Sequence, residues 1–264
     1  MDETYFSFLS VDTVLFASYA ENEGGIRMKL DMHSILPGQN ELMLARTLCL
    51  PSFGDTVDVQ LITIYGNWPG SQAKADIPFG VPIHDALISI DITADIDGME
   101  MPNLYSYLVH RSTLLKYSEV HSTEPIEWED WGPHQCRLIS YPGFAGGGCA
   151  YGNRYVDSVP FGPPGGDAEL VPCQVRVRDF NQLALSRVQV QGGQPSLEPG
   201  LELVTEPTTV VDEIFFPMGP VTTSLPYIQT LVTPIGGVMH TITQNLTLWL
   251  DHENILVVEV GASL

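Results

Sequence analysis

The chain has 264 residues, 44% hydrophobic and 16% charged, too apolar for intrinsic disorder and long enough to bury a sizeable core within one domain spanning 1–264. Acidic residues outnumber basic ones 32 to 11, for a formal net charge of -21. That field repels nucleic-acid phosphates and anionic lipid surfaces, which sets both aside as partners, and by itself reads as a solubility device.

The 24 Gly and 20 Pro are spread along the whole length, which favours short strands and tight turns over long helices. In chain order, Ile26, Met28 and Leu30 alternate with Arg27 and Lys29 after the turn at Gly24-Gly25, the period-two signature of a half-buried strand. Residues 41–48 are rich in Leu, Met and Ala and make the one stretch expected to favour a helix. Val57, Val59 and Leu61 alternate with Asp58 and Gln60, and the run continues to Tyr65 before Gly66 and Pro69. Ala86, Ile88, Ile90 and Ile92 alternate with Leu87, Ser89, Asp91 and Thr93, and Asp97-Gly98 offers a hairpin turn towards the apolar run 104–109. Val175 and Val177 alternate with Gln174, Arg176 and Arg178, and Leu246, Leu248 and Leu250 with Thr247 and Trp249. A last strand is expected over 255–260.

These strands fall into groups over 5–30, 42–65, 85–117, 137–190 and 201–260, separated by turn-rich breaks. The class is therefore all-β. A β-propeller of short antiparallel sheets and a β-sandwich both produce such a pattern, and periodicity alone leaves the two open.

Cys49, Cys136, Cys149 and Cys173 form no CxxC pair and show no metal-ligand spacing, so a reduced intracellular protein of the cytoplasm or nucleus is expected. The start Met1-Asp2-Glu3 is acidic where a signal peptide is basic. Residues 214–250 contain no Asp, Glu, Lys or Arg, but Pro217, Pro220, Pro226 and Pro234 interrupt them, so buried strands and turns are expected there instead of a membrane span.

The segment Trp128-Glu129-Asp130-Trp131-Gly132-Pro133 resembles a signature in the C-terminal region of the basidiomycete F-box protein family. The order of neighbouring segments is similar to that family as well: Phe6-Ser7-Phe8-Leu9, His110-Arg111-Ser112-Thr113-Leu114-Leu115, Tyr151-Gly152-Asn153-Arg154, Val177-Arg178-Asp179-Phe180-Asn181 and Ser224-Leu225-Pro226-Tyr227. The resemblance spans nearly the whole chain. It implies a β-propeller-like, WD-repeat-like recognition region that binds protein partners as the substrate-recognition part of a ubiquitin ligase subunit, and the strand count then suggests roughly four to five blades, closed or as an open arc. No LPxE-type F-box helix pair precedes Phe6, so binding of a Skp-type adaptor is not expected of these residues. Trp128, Glu129, Asp130, Trp131, His110 and Arg111 are the candidate partner-contact or structural signature residues.

No cofactor, metal ligand or catalytic residue is expected. Exposed Trp128 and Trp131 would be contact anchors, whereas buried ones would be core, the commoner fate of large aromatics. Asp91, Asp95 and Asp97-Gly98 resemble part of a calcium loop but have no closing Glu at the required distance. The glycine-rich stretches at 142–152 and 162–167 carry no GK[ST] ending and no GxGxxG before a helix. The seven His are scattered, without HExxH or HxH, and no nucleophile elbow surrounds Ser112. Glu127, Glu129 and Asp130 beside two Trp give the enzyme alternative, a small propeller-type hydrolase acting on glycosides. A gene fragment without independent function is the other.

Overall fold

The computed structural model describes residues 5–22, 24–36, 38, 41–66, 85–98, 102–141, 148–160, 173–190, 200–232, 246–250 and 255–259. Strands β1 (Tyr5–Phe8), β2 (Thr13–Asn22), β3 (Gly25–Ile35) and β4 (Leu42–Cys49) form a first antiparallel meander. Leu15 and Ala17 on β2 and Met28, Leu30 and Met32 on β3 are fully buried, as the alternation around Met28 predicts. Gly25 turns the chain between β2 and β3 at φ 121, and a side chain there would strike the Phe53 carbonyl oxygen.

The expected helix over 41–48 is a strand. Leu42 to Leu44 pair with Ile35 to His33, and a register shift follows at Met32. Pairing along β3 satisfies the backbone and buries Ala45, Leu48 and Cys49, which outweighs the modest helix propensity of Leu, Met and Ala.

A second meander follows the order β5 (Val57–Gly66), β6 (Leu87–Ile96), β7 (Asn103–His110) and β8 (Cys136–Tyr141). The hairpin between β6 and β7 is present, with Ala94 opposite Asn103 and Gly98 at φ 90 in the turn. On β5 the alternation slips, because a bulge between Val59 and Leu61 leaves Gln60 unpaired. Leu61, expected on the apolar face, is 45% exposed, and Ile62 takes the core position at 0%. Ile62→Ala is expected to cost about 2–5 kcal/mol and Leu61→Ala under about 1 kcal/mol. Urea denaturation of both variants checks this, and equal losses would place the bulge elsewhere.

Helices α1 (Arg111–Ser118) and α2 (Trp128–Gln135) lie in the crossover between β7 and β8. On the way, the chain runs beside β4: Cys49 N donates to Ile126 O at 2.8 Å, and Ile126 N to Thr47 O at 3.0 Å. The second sheet is thereby tied to the edge of the first.

The third sheet contains β9 (Cys149–Tyr151), β10 (Arg154–Pro160) and β11 (Cys173–Asp179), then, after helix α3 (Gln182–Val190), β12 (Leu201–Val204). Strands β13 (Thr208–Val210) and β14 (Val221–Thr223) pair separately, β15 (Tyr227–Val232) returns to the third sheet, and β16 (Leu246–Leu250) pairs with β17 (Ile255–Glu259). The third sheet has the order β12-β15-β11-β10-β9. Its connections are local except for β15, which inserts between β12 and β11.

The protein is thus mostly β, built of several antiparallel sheets, none of which closes on itself among the described residues. The expected strand groups are cut differently from the observed sheets. Residues 42–65 contain β4 of the first sheet and β5 of the second, and β8 joins the second sheet although it opens the group 137–190. Strand β1 lies against β5, and β5 against β9. One large apolar core joins the first and second sheets, and a smaller one joins the second and third. Among the described residues no helix is long and apolar enough to cross a membrane. Within 214–250, β14, β15 and β16 fall in the uncharged run, of which 233–245 lie outside the described residues. The glycine-rich stretch at 162–167 and most of that at 142–152 lie outside the described residues.

Candidate functional site

A cleft of about 520 Å³ opens beside the start of α2, where β3, the 50–52 turn and the loop between β13 and β14 converge. Its apolar wall includes Leu50, Trp128, Phe216, Met218 and Val221, and its polar rim carries Arg27, Glu127 and Glu129. Met218 stands 86% exposed at the mouth.

The loop wall is set by Asp212. Its carboxylate accepts the backbone N–H groups of Ile214 and Phe215 at 3.2 and 3.1 Å, and its carbonyl accepts Phe216 N at 2.7 Å. This turn drives Phe215 and Phe216 into an aromatic cluster with Phe53 and Tyr105, whose ring centroids lie 5.1–6.4 Å apart. Met218, Gly219 and Pro220 are left lining the cleft.

The opposite rim is charged. The Arg27 guanidinium donates to both carboxylate oxygens of Glu127 and to Cys49 Sγ, the latter at 3.3 Å. Glu127 raises the Arg27 guanidinium further, while burial pushes the Cys49 thiol up despite Arg27. That thiol is therefore held as the protonated, unreactive form. The Arg27–Glu127 pair is half exposed and so contributes little stability. Glu129 occupies the first turn of α2 and is exposed.

Of the six signature residues, only Glu129 and Asp130 reach solvent. Trp131 is 2% exposed and Trp128 6%. Their rings meet edge to face at 5.5 Å, Trp128 also packs on Tyr107 at 5.8 Å, and the Trp131 indole N–H donates to the Cys49 carbonyl at 2.8 Å. The two tryptophans therefore act as core, with one face of Trp128 reaching the cleft. Gly132 sits one turn after Trp128, and a Cβ there would collide with its six-membered ring. The motif is a packing unit whose acidic residues are carried outward.

His110 and Arg111 are also buried. His110 Nδ1–H donates to the Asp85 carbonyl at 3.1 Å, and Nε2 accepts from the Gln182 amide at 3.1 Å. That pattern requires the neutral ring, and burial pushes its pKa down. Burial also lowers the Arg111 guanidinium to about 10.

Asp91 is turned into the interior against Ser89 and Ser106, and Asp95 sits opposite Asp58, so the residues that resemble part of a calcium loop are divided. Among the described residues no group of three or more His, Cys, Asp or Glu is placed to hold a metal ion. Ser112 lies in α1, exposed.

Arg27, Phe216 and Met218 were not legible as site residues in the sequence, since they come from segments about two hundred positions apart. The Pro217-Met218-Gly219-Pro220 turn, an exposed Met between two breakers, was the available signal. No family model, curated protein or solved structure matches this chain.

Proposed function

We propose that the chain is a non-enzymatic protein-interaction module that takes an extended segment of a partner protein in the Met218–Glu129 cleft. The observation that carries this reading is the cleft's construction: an apolar wall with a flexible Met at the mouth, facing a rim on which Arg27 pairs with Glu127, and Glu129 is left as the uncompensated acid. Met adapts to varied apolar side chains. Glu129 has no ion pair among the described residues, and the whole chain is strongly acidic. The complementary occupant is a segment with an apolar side chain flanked by Lys or Arg.

A propeller-like architecture remains part of the reading. It is supported by successive meanders whose first strands lie against one another, β1 on β5 and β5 on β9, as in a radial stack of blades. Relation to the recognition region of F-box ligase subunits, with action in the cytoplasm or nucleus, is supported by the sequence resemblance. Binding needs no cofactor.

Fluorescence polarisation with a library of synthetic peptides, apolar residues flanked by Lys, Glu or Ser, tests the site. Lys-flanked peptides are expected to bind most tightly and to weaken with salt. Glu129→Arg and Met218→Glu are each expected to weaken them at least roughly tenfold with the circular dichroism spectrum unchanged. Equal affinity for all three flanks, or binding indifferent to both substitutions, overturns the reading. Turnover of glycosides that is lost in Glu129→Gln would replace it with the hydrolase.

A further inference from the structure

The two faces of the second sheet are covered by chemically different material. Towards the first sheet, Ile88, Ile90, Ile92 and Tyr107 join Leu15, Met28 and Leu30 in the large apolar core. Towards the third sheet a polar seam runs across the contact.

At one end, Asp91 on β6 is 6% exposed, accepts a 2.6 Å hydrogen bond from Ser89 Oγ and is hydrogen-bonded by Ser106 on β7. The Tyr155 hydroxyl of β10 donates to Ser106 Oγ at 3.0 Å, and the Tyr141 hydroxyl of β8 lies 3.4 Å from that of Tyr155. Tyr141 donates in turn to Asp157 at 2.6 Å, and Asp157 is held by Arg176 and Arg178 of β11. Ser89, Ser106, Asp157 and Arg178 are all buried.

The two carboxylates of the seam differ in one decisive way. Asp157 has two guanidinium partners, whereas the groups bonded to Asp91 are hydroxyls. Burying a carboxylate without a cation is costly, and the cost disappears when it is protonated.

We propose that Asp91 is a proton-operated latch on the third sheet: protonated, it lets the seam close at low cost, and ionised, it lets the third sheet open as a unit more readily. Burial pushes the Asp91 carboxyl from 3.8 up to about 6. The closed seam therefore holds the proton more tightly than the open one. Its contribution is fully present below the open-state value and is lost as pH rises through the closed-state value.

The other groups around the seam are Tyr65 on β5, Tyr141 on β8, Cys149 on β9, Tyr155 and Asp157 on β10, and Arg176 and Arg178 on β11. Burial raises Tyr65, Tyr141 and Tyr155, and Arg178 is raised by Asp157 in spite of its burial. Raised tyrosines stay neutral and a raised Arg178 stays charged across the pH window in which Asp91 changes. His110, tied to Gln182 at the start of α3, acts in the opposite direction. Its depressed pKa stabilises the closed form above the ordinary imidazole value and loses that contribution as pH falls. A comparison with Asp91→Asn cancels the His110 effect, since both proteins carry it.

Amide hydrogen exchange, corrected for intrinsic rates, measures the opening of β10 and β11, with β2 and β3 as reference. Wild-type opening relative to Asp91→Asn is expected to rise about tenfold between about pH 5 and about pH 7.5, with the reference strands unchanged. A ratio that stays constant overturns the proposal, and so does an equal change in β2 and β3. Carboxyl carbon NMR of the wild type provides a test that needs no variant: titration of Asp91 in the ordinary carboxylate range overturns it, and titration near neutrality upholds it.

Discussion

Trp131→Ala is expected to destabilise the protein by about 3–5 kcal/mol, read as a fall in the urea midpoint. The indole fills the contact between α2 and β4, closes edge to face on Trp128 and on Tyr117, at 5.5 and 6.3 Å, and gives the Cys49 carbonyl its 2.8 Å hydrogen bond. Truncation empties a large volume among Tyr, Trp and Leu side chains that cannot all collapse into it. It also leaves a carbonyl without its donor. Trp131→Phe separates the two effects, since it restores most of the packing but not the N–H, and is expected to cost about 1–3 kcal/mol.

Gly132→Ala is a sharper probe of the same unit. Its added methyl group points into the Trp128 ring, and overpacking of this kind costs about 1–3 kcal/mol. Because Trp128 also lines the cleft, this variant is expected to weaken peptide binding as well as stability. A Gly132→Ala protein as stable as wild type would mean that Trp128 has another rotamer open to it, and the description of the motif as a packing unit would fail.

Asp157→Ala is expected to cost a further about 3–5 kcal/mol on its own. Arg178 donates to Asp157 at 2.9 Å and lies over the rings of Tyr155 and Tyr227, 5.9 and 5.6 Å from their centroids. With the carboxylate removed, a buried guanidinium keeps only those ring faces, and the Tyr141 hydroxyl loses its acceptor. Arg137, buried on β8, already hydrogen-bonds to the carbonyls of Leu225 and Glu206 and to Thr208, so a second unpaired cation would stand beside it. The paired substitution Asp157→Leu with Arg178→Met removes the two most buried charges together, leaving the more exposed Arg176 to solvent, and is expected to recover much of the loss, since an ion pair in the interior offsets little more than its own desolvation. Thermal denaturation of the single and paired variants measures the coupling. If Asp157→Ala alone costs under about 1 kcal/mol, water reaches the seam and the charges are not buried as described.

The strands over 25–35 and 87–96 were readable because each has one face of Ile, Leu or Met at period two, that over 103–110 because it contains the apolar run 104–109, and the Asp97-Gly98 turn announces the hairpin between the latter two. The helices were harder to see. α1 and α2 have eight residues each, too few for a 3.6-residue period to stand out, and Pro133 within α2 argues against a helix. For α3 the missed signal was Asn181, whose side chain accepts the N–H groups of Leu183 and Ala184 as an N-cap does. The bulge at Gln60 was invisible for a different reason, since an extra residue changes the phase of a strand without changing its composition.

Alternation also misled where a strand is covered on both sides. Ser89, Asp91 and Arg178 fall on the polar phases of their strands, the phases that face water in a half-buried strand, yet all three are buried. Nothing local distinguishes a polar face turned to water from one turned to a second polar face. The difference lies in the third sheet, whose hydroxyls and charges satisfy them.

The sequence by itself determined the mostly β class, the positions of its most regular strands and the acidic net charge, because these follow from side-chain alternation, turn residues and composition, all local or additive properties. The tertiary structure alone decided which strands share a sheet, that the two tryptophans are core while Glu129 faces a cleft, and that Asp91 is buried among hydroxyls. These depend on what lies across the contact, from residues as distant as Arg27 and Met218, and burial is a property of the neighbours and not of the residue.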